Sequence, residues 1–236
     1  MAENKVLKDV QQKLYDRLVP SGWGGKLKAF LLSDEFYNIL SELYDQSQGG
    51  KHFTPVLKDV FKAFEECPYD KLRVVVIGQD PYPQAGVADG ISFSCSKTGK
   101  VQPSLRYLFK EIEDTVYPDG YKWDPDLKRW SNQGVLMLNT ALTCQIGNIG
   151  SHINIWKPFI TYLLDILGHY NSGIAYIFLG TKAKAWSKSI PSINYKFFVS
   201  HPASAAYKKQ QQWDSNDLFN KINNVLYENN GEKITW

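Results

Sequence analysis

The chain has 236 residues, 43% of them hydrophobic and 22% charged, a composition that builds one large buried core and excludes a disordered or fibrous chain. A formal net charge of +3 is too small to mark a polyanion binder by its total, so any such role must rest on where the cations cluster. Aromatic residues reach 14%, a generous supply for burial or stacking.

In chain order, residues 1–50 read as a helical N-terminal part, with its pattern over 26–45, closing in a surface loop at Ser47-Gln48-Gly49-Gly50. Thr54-Pro55 reads as an N-cap followed by proline at the first helical position, and the helix it predicts sets Val56, Leu57, Val60, Phe61 and Phe64 on one face. A first apolar run, Val74-Val75-Val76-Ile77, is followed by a helical pattern over 104–116 and a second run, Val135-Leu136-Met137-Leu138. A strongly amphipathic helix is predicted from about Asn154, with Pro158 near its first turn and Trp156, Phe159, Ile160, Leu163, Leu164 and Leu167 inward. A third run, Ala175–Leu179, a helical pattern over 182–189, a fourth run, Tyr195–Val199, and a last helical pattern over 215–229 complete the chain.

Three of the four runs are almost uniformly apolar, as strands buried on both faces of a parallel sheet are. Alternation with helices predicts the α/β class: one domain over 1–236, three α/β/α layers around a central four-stranded, mainly parallel sheet. Cys67, Cys95 and Cys144 form no Cys-x-x-Cys pair, which argues against a disulfide framework or a metal centre and for a reducing, intracellular setting. No run approaches membrane-spanning length, and Met1-Ala2-Glu3-Asn4-Lys5 opens no apolar targeting segment.

Open α/β sheets bind ligands beyond the carboxyl ends of their strands. Gly78-Gln79-Asp80-Pro81-Tyr82-Pro83 follows the first strand, Asn139-Thr140 the second, Gly180-Thr181-Lys182 the third and Ser200-His201-Pro202 the fourth. Singly, Asp80 is a turn residue, Asn139 a cap and His201 a satisfied loop histidine. Together, a carboxylate, an amide and an imidazole at one sheet edge form a reactive constellation, without specifying the reaction.

From about Lys51 onward the chain resembles the uracil-DNA glycosylases of bacteria, eukaryotes and DNA viruses. The resemblance is carried by Gly78-Gln79-Asp80-Pro81-Tyr82 with Gly86, Gly90 and Phe93-Ser94, then by Pro103-Ser104-Leu105, Leu136-Met137-Leu138-Asn139-Thr140, Gly180-Thr181 and His201-Pro202. It implies a repair enzyme that hydrolyses the N-glycosidic bond of uracil in DNA and leaves an abasic site, with no metal or cofactor. It assigns Asp80 to the sugar and its attacking water, as carboxylates act in glycoside hydrolysis. It assigns His201, as a neutral imidazole, to the departing uracil oxygen. Asn139 would read the Watson–Crick edge, Phe93 would stack on the ring, Tyr82 would exclude a C5 methyl group, and Gln79 would act mainly through its backbone. The DNA-binding positions it implies are Ser104, Gly180, Thr181, Ser204, Ala205 and Tyr207, flanked by Lys97, Lys100, Lys182, Lys184, Lys208 and Lys209.

Two departures stand out. Pro83 replaces the family's usual histidine, which predicts the loss of a support for the water or for Asp80. Ala203-Ser204-Ala205-Ala206-Tyr207 replaces the usual Ser-Pro-Leu-Ser, so Ala205 falls where the family's leucine wedges into the duplex, and Tyr207 is the candidate substitute. Weaker extrusion of uracil from duplex than from single-stranded DNA is the expected consequence. The altered loop also sustains an alternative, a DNA-binding or replication-accessory protein of the same fold with reduced or lost catalysis. A glycosylase for mismatched thymine is a further alternative, opposed by Tyr82. The resemblance implies uracil-containing DNA and small acidic DNA-mimicking inhibitor proteins as partners, a monomer, and a cytoplasmic or nuclear location.

Overall fold

The computed structural model describes residues 2–169, 173–207 and 212–236. Three helices open the chain: α1 (Ala2–Leu18), α2 (Trp23–Leu31) and α3 (Asp34–Gln48). The single helical pattern expected over 26–45 is thus two helices. The Ser33 hydroxyl caps α3 by accepting from the Phe36 N–H, which begins a new helix and ends the old one. Gln11 pins α1 to this junction, its Nε2 donating to the carbonyls of Leu31 and Ser33 at 2.9 and 2.8 Å.

The helix expected from Thr54-Pro55 does not form there. Phe53–Thr54 is a short strand, β1, paired antiparallel with Cys144–Gln145, and Val56 is also extended. A backbone committed to that pairing cannot start a helical turn. A 3₁₀ turn follows at Leu57–Asp59, and α4 is confined to Lys62–Glu66. Val60, Phe61 and Phe64 are buried as expected, whereas Val56 and Leu57 are exposed.

The sheet strands are β2 (Val74–Gly78), β3 (Val135–Asn139), β5 (Ala175–Leu179) and β6 (Tyr195–Val199), with Cys144–Gln145 as β4. Their order is β3-β2-β5-β6 and every neighbouring pair is parallel. β2 and β5 are buried along their whole length. β6 lies on an edge with Tyr195 and Phe198 exposed, which explains its mixed composition. Helices cover the sheet in three α/β/α layers, and the buried core runs from Leu7 to Trp236.

The remaining helices are α5 (Pro103–Thr115), α6 (Lys128–Ser131), α7 (Ile153–Gly168), α8 (Gly180–Lys184), α9 (Ala203–Tyr207) and α10 (Leu218–Asn230). Pro103 takes the first position of α5, where its missing N–H costs nothing. Pro158 sits inside α7 rather than in its first turn. Seven buried residues from Ile155 to Leu167 hold that helix in place, and such tertiary packing outweighs one lost backbone bond. The pattern over 182–189 is divided between α8 and a 3₁₀ turn at Ala185–Ser189. Among the described residues no helix is long and apolar enough to cross a membrane.

Candidate active site

The carboxyl ends of the four parallel strands converge. Gly78 ends β2 directly opposite Asn139, which ends β3, and the pairing continues past both as Thr140 and Ala141 donate to the carbonyls of Gly78 and Gln79 at 3.2 and 2.9 Å. This locks the loop carrying Asp80 to the strand end carrying Asn139. Glycine at 78 leaves room for the polar groups above it: a Cβ there would lie 2.7 Å from Asn139 Oδ1 and 2.9 Å from Ser92 Oγ and would push both side chains aside.

A cavity of about 560 Å³ opens at this edge, and Gln79, Asp80, Tyr82, Phe93, Asn139, Ser104, His201 and Ser204 all line it. Asp80 accepts from Gln79 Nε2 at 2.5 Å and from the Gly150 backbone N–H at 3.2 Å. Burial pushes the Asp80 carboxyl above its ordinary range, and these two donors oppose the rise. The Gln79 side chain therefore acts on the carboxylate, a role that the expectation of mainly backbone contacts did not include. The support that Pro83 cannot offer through a side chain also has another source, because Gly147 N donates to the Pro83 carbonyl at 2.9 Å and so ties down the loop that presents Gly150.

His201 is held from two sides. The Ala203 backbone N–H donates to its Nδ1 at 3.1 Å, so Nδ1 is the acceptor and the ring proton resides on Nε2. Burial lowers the imidazole's proton affinity below the ordinary histidine value, favouring the neutral ring. Gly180, with φ +88°, sits against it: a Cβ at 180 would lie 3.1 Å from His201 Cβ. Gly180 thus seats the histidine.

Phe93 lies 5.6 Å from His201 between ring centroids, with the rings 31° apart. Its φ of +64° is left-handed backbone that a bulky residue adopts only when its surroundings impose it. Two features impose it. Tyr82 Oη donates to the Phe93 carbonyl at 2.9 Å, and the buried Asp89 carboxylate gathers the Ile91 N–H, the Ser94 hydroxyl and both the N–H and hydroxyl of Ser96. Ser92, between them, donates to Asn139 Oδ1 at 2.7 Å. Asp89, Ser92 and Gly150 escaped the sequence reading; the Asp-Gly step followed by alternating serines at 92, 94 and 96 was the available sign.

The expected DNA contacts divide. Ser104 occupies the first turn of α5 and Ser204 the first turn of α9, both at the cavity. Thr181 is exposed on α8. Ala205 is a correction: α9 turns its methyl group into the core, where it is fully buried, so it faces no ligand. Lys97 is ion-paired with Asp59 and Lys184 lies over the Phe198 ring at 5.3 Å, while Lys100 and Lys182 are exposed. The side chain of Tyr207, and Lys208 and Lys209, lie outside the described residues.

Residues 64–227 match the Uracil DNA glycosylase superfamily. The chain is 36% identical over 203 residues to the uracil-DNA glycosylase of Mesomycoplasma hyopneumoniae (strain 7448), covering 85% of this chain and 91% of that one. With the uracil-DNA glycosylase of Proteus mirabilis (strain HI4320) it shares 32% identity over 224 residues, 92% of this chain and 96% of that one. The crystal structure of mimivirus uracil-DNA glycosylase superposes with a TM-score of 0.82 at 23% identity, over 92% of this chain and 86% of that one. A mimivirus protein solved in complex with UGI gives 0.81 at 24%, over 91% and 87%. At those identities the structural likeness speaks for the fold, and the sequence matches speak for descent: this chain belongs to the uracil DNA glycosylase superfamily.

Proposed function

We propose that this protein hydrolyses the N-glycosidic bond of uracil in DNA, releasing free uracil and leaving an abasic site in base-excision repair. The observation that carries the reading is the Ala203 N–H on His201 Nδ1 at 3.1 Å: with Nδ1 occupied, the proton of the neutral ring is left on Nε2, where an oxygen of the departing base requires it. Scission of the bond between C1′ and the base nitrogen leaves the electron pair on uracil and positive charge on the sugar. His201 Nε2–H stabilises the developing uracil anion. The Asp80 carboxylate stabilises the sugar cation and orients the water whose oxygen bonds to C1′; the proton this water sheds passes to Asp80 and balances the one the uracil anion takes up to leave as free uracil.

Base identity is read by Asn139, Phe93 and Tyr82. Ser92 donates to Asn139 Oδ1, which supports an amide orientation with Oδ1 toward the uracil N3–H and Nδ2 toward O4. Cytosine presents the reverse pattern and leaves buried groups unpaired, at a cost of about 1–3 kcal/mol for each. Phe93 stacks on the base and Tyr82 occupies the space a C5 methyl group would need. Ser104, Ser204 and Thr181 contact backbone phosphates, and exposed Lys100 and Lys182 add to the attraction. The protein acts as a monomer on single- and double-stranded DNA, and small acidic DNA-mimicking inhibitor proteins compete at the same mouth, a partner class in keeping with the mimivirus neighbour solved with UGI.

The test is incubation with uracil-containing single-stranded and duplex DNA in the presence of a chelator, with free uracil and abasic sites measured. Release from at least one form, strongly reduced by Asp80→Asn and by His201→Ala, is the expected result. No release from either form would overturn the reading.

A further inference from the structure

The loop over 145–151 is tied down at nearly every step. Ile146 N donates to the His52 carbonyl at 3.0 Å, Gly147 N to the Pro83 carbonyl at 2.9 Å and Asn148 N to the Gln145 carbonyl at 3.0 Å. Gly150 N donates to Asp80 Oδ1 at 3.2 Å, and Gln145 N to Ser151 Oγ at 2.8 Å. Behind the loop His152 is fully buried. Trp156 Nε1–H donates to Thr143 Oγ1 at 2.7 Å, and because His152 Nε2 faces an amide oxygen that can only accept, the neutral ring takes the Thr143 hydroxyl proton at Nδ1, 2.8 Å away. His152 Nε2 in turn donates to Gln46 Oε1 at 3.1 Å. The loop is a prong anchored to Gln46 of α3 and to the Asp80 carboxylate.

At its tip stands Ile149, 62% exposed, and of the exposed large apolar side chains among the described residues it alone also lines the cavity. Exposing a β-branched apolar side chain on so constrained a loop stabilises nothing in the unbound protein, and its stiff side chain loses little freedom when covered. The loop after His201 offers no such group among its described side chains: Ala203 and Ser204 are small, and Ala205 is buried. Proteins that open a duplex place an apolar wedge beside the disrupted step.

We propose that Ile149 is that wedge: on the prong at the sugar side of the cavity, it fills the duplex space beside the extruded nucleotide and keeps the base from restacking. The occupant is the DNA substrate itself, since Ile149 is continuous with the cavity that receives the base, and Lys51, exposed next to His52 at the foot of the prong, adds a cation beside the same loop. The inference rests on the glycosylase reading and adds to it a residue for duplex opening.

The experiment compares uracil release from matched single-stranded and duplex oligonucleotides by wild type, Ile149→Ala, Ile149→Leu and Tyr207→Ala. The duplex to single-strand rate ratio is expected to fall about tenfold in Ile149→Ala and to recover in Ile149→Leu, which restores the apolar volume. In an Asp80→Asn background, 2-aminopurine placed beside uracil in a duplex should brighten on binding, and Ile149→Ala should abolish that rise. An unchanged ratio in Ile149→Ala, equal losses on both DNA forms, or a ratio that falls only in Tyr207→Ala would each overturn the proposal. No release by wild type from either form would remove the glycosylase reading and this proposal together, whereas release with an unchanged ratio removes this proposal alone.

Discussion

Gln79 donates its side-chain amide to Oδ2 of the adjacent Asp80 at 2.5 Å, while Gly150, from a different loop, donates its backbone N–H to Oδ1 at 3.2 Å. The carboxylate is therefore gripped on both oxygens in a partly buried setting that on its own raises its proton affinity. A buried carboxylate without such donors would take up a proton and lose its charge.

Removal of the Gln79 grip should be visible in the pH profile. In the proposed mechanism Asp80 works as a carboxylate, so activity should disappear as pH falls through its raised pKa. Gln79→Ala deletes a donor that opposes the rise, and the acid limb of kcat/KM should move to higher pH, with several-fold losses near the limb and smaller ones well above it. A limb that stays in place would show that the amide does not act on Asp80.

Asp80→Asn should separate activity from stability. Loss of the charge is expected to lower kcat/KM by about 10²–10⁴-fold. A carboxylate whose folded-state pKa is raised makes folding less favourable once ionised, so the cost is present above the folded pKa and vanishes as pH falls below the unfolded one. The variant should accordingly melt at or above the wild-type temperature at neutral pH, with the difference closing in acid. A clearly lower melting temperature at neutral pH would contradict this.

His201→Ala removes the donor proposed for the departing base and should cost about 10²–10³-fold in kcat. Nitrogen NMR of labelled histidine should find His201 neutral, protonated on Nε2 and unprotonated on Nδ1. Because burial lowers its pKa, it should stay neutral through the ordinary histidine range. A charged ring at neutral pH would contradict the hydrogen bond from Ala203.

Ser92→Ala leaves the Asn139 amide without the hydroxyl that engages Oδ1 at 2.7 Å. Inhibition by free uracil should weaken and kcat/KM should fall, each by about five- to tenfold, with the melting temperature little changed. Unaltered inhibition by free uracil would show that Ser92 does not orient the amide.

Ala205→Leu is the substitution the family pattern suggests for restoring a wedge, and the fold argues against it. Ala205 is fully buried against the core, so a larger side chain overpacks it and should destabilise the protein by about 1–3 kcal/mol. Thermal unfolding should register the loss, and duplex activity should not rise. A stable Ala205→Leu protein with faster release from duplex would show that residue 205 faces the DNA after all.

Much of this protein was legible in its sequence because the signals are local. Continuous apolar runs of strand length at Val74, Val135 and Ala175 suit strands buried on both faces, and all three form such strands. The order of Gly78-Gln79-Asp80-Pro81-Tyr82, Asn139 and His201 then placed a carboxylate, an amide and an imidazole at the same sheet edge. Contacts between residues far apart in the chain were beyond such reading. Thr54 is a strand residue because Cys144 pairs with it, and that pairing overrides a helix-start pattern. Ala205 is buried because α9 packs where it does, and the carbonyl of Pro83 matters because Gly147 reaches it. Chemistry carried by side-chain type is written residue by residue. The choice of which apolar side chain is covered and which, like Ile149, is left facing the cavity mouth depends on how distant segments pack, and only the tertiary structure decides it.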